Sequence, residues 1–201
     1  MKTNLEIFDE TISASIEKYL YYPDLNREFQ IVFVIKPNYH IKNAYVINTN
    51  EDSEAKYLRS IIKKIASSEK LRFSFADDET KISADSVLNL FILNPVIMQT
   101  NYNGFGKNRF LGDKTIKRNI KINISISIRT TYNNLKVSDV IEGNYNDEVN
   151  LDYYDNIESS QYEFTQATPP EAGEFESLIF PAVLVLASAG ATLLFFVIRS
   201  K

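Results

Sequence analysis

Carboxylates are the side chains from which a reactive site could most readily be built, because thiols are missing and imidazole is scarce. The chain holds no cysteine and a single histidine, His40. Without thiols there is no disulfide, no thiolate metal site and no cysteine nucleophile. One imidazole leaves no His-pair metal site and a single candidate base for a Ser-His-Asp arrangement. His40 lies among Asn38, Tyr39 and Lys42 and reads as a solvated residue in a loop between strands. Asp77, Asp78 and Glu79 are adjacent, but they lack the spaced ligands and the glycine of a calcium loop, so they read as a solvated turn. Asp77, Asp78, Asp85 and Asp113 are the candidates for a carboxylate-based hydrolase or ligand-binding enzyme. No base, nucleophile or metal set stands beside them in the sequence. The residues therefore predict no catalytic or metal-binding set and no cofactor, and they favour a non-enzymatic role.

A second cluster could act by contact. The segment from Asn101 to Lys114, NYNGFGKNRFLGDK, mixes glycines and cations with aromatics. Gly104, Gly106 and Lys107 lack the full spacing of a phosphate-binding loop and precede no helical pattern. The segment reads instead as a long hairpin tip that meets a partner through Tyr102, Phe105, Lys107, Arg109 and Phe110.

The elements that hold these residues follow from periodicity. Leu5, Phe8, Ile12, Ile16, Tyr19 and Leu20 recur at helical spacing, and so do Ala55, Leu58, Ile62 and Ile65 behind a cap at Asp52 or Ser53. Phe29–Ile35 is a nearly continuous apolar run that reads as a buried strand. Strands are also expected at Ala44–Asn48, Leu71–Phe75 and Val87–Leu93, the last continuing past Pro95 to Tyr102. Ile120, Ile122, Ile124, Ile126 and Ile128 alternate strictly with polar residues, the mark of a strand with one dry and one wet face. A turn at Asn133-Asn134 joins it to a partner, Leu135–Gly143. The expected fold is α+β, an antiparallel-rich sheet with two helices on one face, over residues 1–148.

Charge then changes along the chain. Met1–Glu148 holds 20 basic and 19 acidic residues, whereas Leu151–Ser177 has seven acids and no Lys or Arg. Neither part offers the basic stripe that nucleic-acid binding requires. Residues 149–177 read as an acidic linker, although Tyr153, Tyr154, Tyr162 and Phe164 are more aromatic than a solvating spacer needs and could dock on the domain. Leu178–Ile198 is 21 residues without a charge, long enough as a helix to span a hydrocarbon core of about 30 Å. A single-pass transmembrane helix is therefore expected, beginning at Leu178 with Pro181 in its first turn. Small residues including Ala187, Gly190 and Ala191 would permit self-association through the helix. Arg199 and Lys201 form a basic tail that places the C-terminus in the cytoplasm and the domain outside, in the periplasm. The absence of an apolar stretch at the start favours the alternative, a tail-anchored adaptor with a cytosolic domain.

The order helix, strand, strand, helix, strand, followed by Ala84-Asp85-Ser86-Val87-Leu88-Asn89-Leu90 and a long hairpin, resembles bacterial envelope domains. The families are the amino-terminal domain of the Tol–Pal propeller protein and the curli-secretion lipoprotein. The resemblance spans Leu5–Asp147 and implies an accessory protein in the cell envelope that binds other envelope proteins without catalysis. The Ile- and Asn-rich composition also fits an AT-rich bacterial genome. The expected partners are the lipid bilayer and an envelope protein.

Overall fold

In the computed structural model, residues 1–22, 25, 27–36, 41–42, 45–46, 53–78, 82, 88–107, 114–130, 136–170, 183–188 and 195 are described. The chain divides into two units, Met1–Thr168 and Pro169–Lys201. The first helix, α1 (Asn4–Leu20), starts where Thr3 accepts from the backbone of Glu6 while the Glu6 side chain accepts from the backbone of Thr3. That reciprocal cap satisfies two N–H groups that the first turn would otherwise leave bare. Its Ile7, Phe8, Ile12, Ile16, Tyr19 and Leu20 are buried.

Five strands form the main sheet: β1 (Gln30–Ile35), β4 (Phe73–Ala76), β5 (Leu88–Lys107), β6 (Lys114–Thr130) and β7 (Lys136–Asn150), in the order β4-β1-β5-β6-β7. Between β1 and β4 come a two-stranded hairpin, β2 (Ile41–Lys42) with β3 (Tyr45–Val46), and α2 (Ser53–Ser68). The sheet is mixed, which corrects the expectation of an antiparallel-rich one. β1 runs parallel to both β4 and β5, while β5, β6 and β7 form an antiparallel meander. α2 is the reason for the first parallel pair, since a crossover helix returns the chain to the sheet in its original direction. β1 behaves as a parallel central strand should: Ile31 to Ile35 are buried on both faces.

Both helices cover one face. Ile31, Phe33 and Ile35 of β1, Phe91 and Leu93 of β5, and Ile120 to Ile128 of β6 join α1 and α2 in one apolar cluster. Two bulges set which residues of β5 take part. The register shifts between Pro95 and Ile97, so the inward positions change from odd (Phe91, Leu93) to even (Met98, Thr100, Tyr102). A second shift falls between Asn103 and Phe105, where Gly104 takes φ +64°, a left-handed value that glycine adopts without strain. On β7, Gly143 lies under α1: a Cβ there would stand 2.9 Å from Thr11 Cγ2.

The first unit runs past residue 148. After β7 the chain makes a 3-10 turn (Leu151–Tyr153), a single helical turn, α3 (Tyr154–Ile157), and a second 3-10 turn at Glu163–Thr165. Tyr162 and Phe164 are buried in the main cluster against Phe8 and Tyr57, with ring centroids 4.8 Å apart for Phe8–Phe164 and 5.2 Å for Tyr57–Tyr162. Residues 151–168 are thus part of the domain, a strap of its core.

The transmembrane helix expected at Leu178–Ile198 is not supported. Among the described residues no helix is long and apolar enough to cross a membrane; residues 183–188 and 195 are helical. A span requires about 20 consecutive apolar residues in one helix, and an uncharged run in a sequence meets only the composition half of that condition. The single-pass anchor, the periplasmic domain with a cytoplasmic C-terminus and the tail-anchored alternative all rested on that helix and lose their basis.

Candidate functional site

β6 places Ile116, Ile120, Ile122, Ile124, Ile126 and Ile128 inward, and Arg118 occupies the same row. Its side chain is fully buried. Asp147 is its register partner on β7, and the two make a bidentate pair, Nε to Oδ1 at 2.7 Å and Nη2 to Oδ2 at 2.6 Å. Nη1 donates to the Lys2 carbonyl at 2.9 Å and to Asn4 Oδ1 at 2.8 Å. Asn4, itself fully buried, donates onward to Tyr102 Oη at 3.0 Å and to the Thr165 carbonyl at 2.7 Å. Burial pushes the Tyr102 phenol above its ordinary range, and Asn4 opposes that shift.

This network joins the amino terminus, β5, β6, β7 and the strap. Every nitrogen of the guanidinium is engaged, so Arg118 has the chemistry of a clamp and not of a substrate grip. Beside it Tyr102, Ile116, Val149 and Ile157 form a second, smaller apolar cluster. Tyr57 and Tyr19 repeat the theme: their hydroxyls donate to Asp9 at 2.8 Å and to Asp139 at 2.7 Å. Burial, then the hydrogen bond to Asp139, pushes the Tyr19 phenol up to about 12.

The other face of β5, β6 and β7 is polar and open. In register across the three strands stand Asn101, Asn119 and Asn146, then Gln99, Lys121 and Asn144. Asn119 Nδ2 donates to Asn144 Oδ1 at 2.8 Å and to Asn146 Oδ1 at 2.7 Å, and Asn146 Nδ2 donates to Asn144 Oδ1 at 3.2 Å. The amides hold one another in place through these bonds, so a partner meets them already ordered.

The residues singled out from sequence are dispersed. Tyr102 is buried at the Asn4 network and is no part of an exposed tip. Phe105 and Lys107 belong to β5, pairing in register with Ile116 and Lys114, while Arg109 and Phe110 lie outside the described residues. Asp77 and Asp78 are exposed, and Asp77 accepts from Arg59 at 3.4 Å. His40, Glu79, Asp85 and Asp113 lie outside the described residues, as do Leu178, Pro181, Gly190, Ala191, Arg199 and Lys201. Ala187 is in the helical stretch 183–188 and exposed. Among the described residues no group of acids or histidines is placed to hold a metal ion. Arg118, Asp147 and Asn4 were not found from sequence, although a signal was present: a cation in phase with the isoleucines, with an acid at the matching position of the next strand.

No family model matches the chain, and no curated protein matches it. Among solved structures, a neuraminyllactose-binding hemagglutinin homolog from Helicobacter pylori is similar over 63% of this chain and 72% of its own, at 13% identity and a TM-score of 0.37. A likeness of that size carries no conclusion about fold or ligand.

Proposed function

We propose that this protein is a non-enzymatic binding module that acts through protein–protein contacts. The observation that carries the reading is the open face of β5, β6 and β7. The strands are 20, 17 and 15 residues long, against six for β1, so the meander runs far past the helix-covered core. Its wet side displays Gln99, Asn103, Lys117, Lys121, Glu142 and Asn144, all exposed. An exposed array of amides and mixed charges suits the polar, hydrated kind of interface that protein partners form. The resemblance of the sequence to envelope domains that bind other proteins points the same way.

A photo-crosslinking residue placed at Lys121 should give a discrete protein adduct in cells that naturally contain the chain. The same group at Lys63, on the outer side of α2, should give none. Equal labelling at the two positions, or no adduct at Lys121, would refute the reading.

A further inference from the structure

The meander ends at β7, and among the described residues no strand pairs with its outer side. A strand of 15 residues with an open edge normally invites pairing, and proteins blunt such edges with proline, lysine or a covering loop. β7 has no proline and a single lysine, Lys136, at its first position. One edge group is already blocked: the Val140 N–H, turned away from β6, donates to the carboxylate of Asp139 at 2.8 Å. Alternate residues of a strand direct their backbone groups to the same side. The outward groups in phase with Val140 are therefore those of Glu142, Asn144, Asn146 and Glu148, whose side chains are exposed on the open face.

Charge identifies what fits there. From Val137 to Thr168 the chain has eight acids and no Lys or Arg, whereas Met1–Lys136 has 20 cations against 15 acids. A second copy of β7 would oppose acid with acid. We infer that the free edge of β7, from Glu142 to Glu148, accepts an extended, basic peptide segment of a partner protein as a sixth, antiparallel strand. Main-chain hydrogen bonds supply the affinity, and cross-strand pairs supply the selection. Cations six residues apart in the added strand would face Glu142 and Glu148, with small polar residues over Asn144 and Asn146. This rests on the binding-module reading and names its edge and partner chemistry.

The test uses the full chain, isotope-labelled for NMR, and the blocked peptide Lys-Val-Thr-Val-Thr-Val-Lys, with a control bearing Glu for both Lys. The Lys peptide should shift the amides of Glu142, Asn144, Asn146 and Glu148 and bind at least about tenfold tighter than the control, with the advantage shrinking as salt screens the charges. In the double variant Glu142→Lys, Glu148→Lys the preference should reverse. Asn144→Pro removes one outward N–H and should abolish binding, with circular dichroism reporting that the sheet is intact. If Asn144→Pro unfolds, the charge reversal alone decides. Equal binding of both peptides, shifts confined to the open face, or a concentration-dependent dimer that Asn144→Pro dissociates would each overturn the inference. Crosslinking at Lys121 that persists when the edge fails would leave the binding module standing.

Discussion

β6 carries one alternation through two different surroundings. From Ile120 to Ile128 the inward side chains are isoleucines under α1 and α2, in the large apolar cluster. At Arg118 the same row holds a buried guanidinium, and the cover there is the amino terminus and the strap. A helix brings a full apolar stripe to the sheet, so packing alone can hold it. The amino terminus before α1 and the strap are short and irregular, and their backbone carbonyls need donors. Arg118 and Asn4 provide them to Lys2 and Thr165. One end of the sheet is held by dispersion and water exclusion, the other by directed hydrogen bonds beside a smaller apolar cluster.

The comparison can be broken most severely in the apolar part. Replacing Ile124, fully buried, with Asp strands a carboxylate without partners and should cost several kcal/mol, on the order of a domain's whole stability. Ser125→Asp, on the wet face, should change stability by less than about 0.5 kcal/mol. Urea melts of the two variants read the difference, and comparable losses would cancel the assigned register. At the polar end, Arg118→Met should cost about 3–5 kcal/mol, because it takes the guanidinium from Asn4 Oδ1 and from Asp147, which keeps only the Tyr145 hydroxyl at 3.4 Å among its side-chain donors. Adding Asp147→Leu should recover part of that loss, whereas a packing defect would deepen it; a double-mutant cycle separates the cases.

Phe164→Ala tests whether the strap belongs to the core, and removing a ring that meets Phe8 and Tyr57 should cost about 3 kcal/mol. An unchanged melting temperature would reduce the strap to a surface tail. The smallest effect is on pH dependence. The Tyr19 hydroxyl and the Val140 N–H hold the Asp139 carboxyl below its ordinary value. Its stabilisation is complete above the unfolded carboxylate range and is lost as pH falls through the lower, folded value. The Tyr19 phenol is raised, so its contribution is present below about pH 10 and fades as pH climbs toward the folded value of about 12. Tyr19→Phe should flatten both limbs of a stability–pH curve; if both limbs stay as steep, the Tyr19–Asp139 bond has no energetic role.

Local periodicity carries α1, α2 and the alternating strand β6 because each pattern repeats over many residues and depends only on which face is dry. The hydrogen-bonding direction of β1 is not so encoded. Its apolar run reports burial on both sides, and the position of α2 makes β4 parallel to it. The sequence carries the strand past Pro95, yet the change of inward parity that buries Tyr102 depends on pairing with β6. Asp147 reads as a solvated acid until β7 is aligned with Arg118.

Composition by itself excluded thiol chemistry and paired-imidazole sites, and patterning by itself located two amphipathic helices and the isoleucine strand. Tertiary structure decided the mixed sheet, the use of residues 151–168 as a strap, the clamp at Arg118 and the open edge of β7. The division has a physical cause. Burial periodicity is a property of one segment facing one medium, whereas register, edge and ion pairing are properties of two segments, and their partners are fixed by where the rest of the chain leaves room.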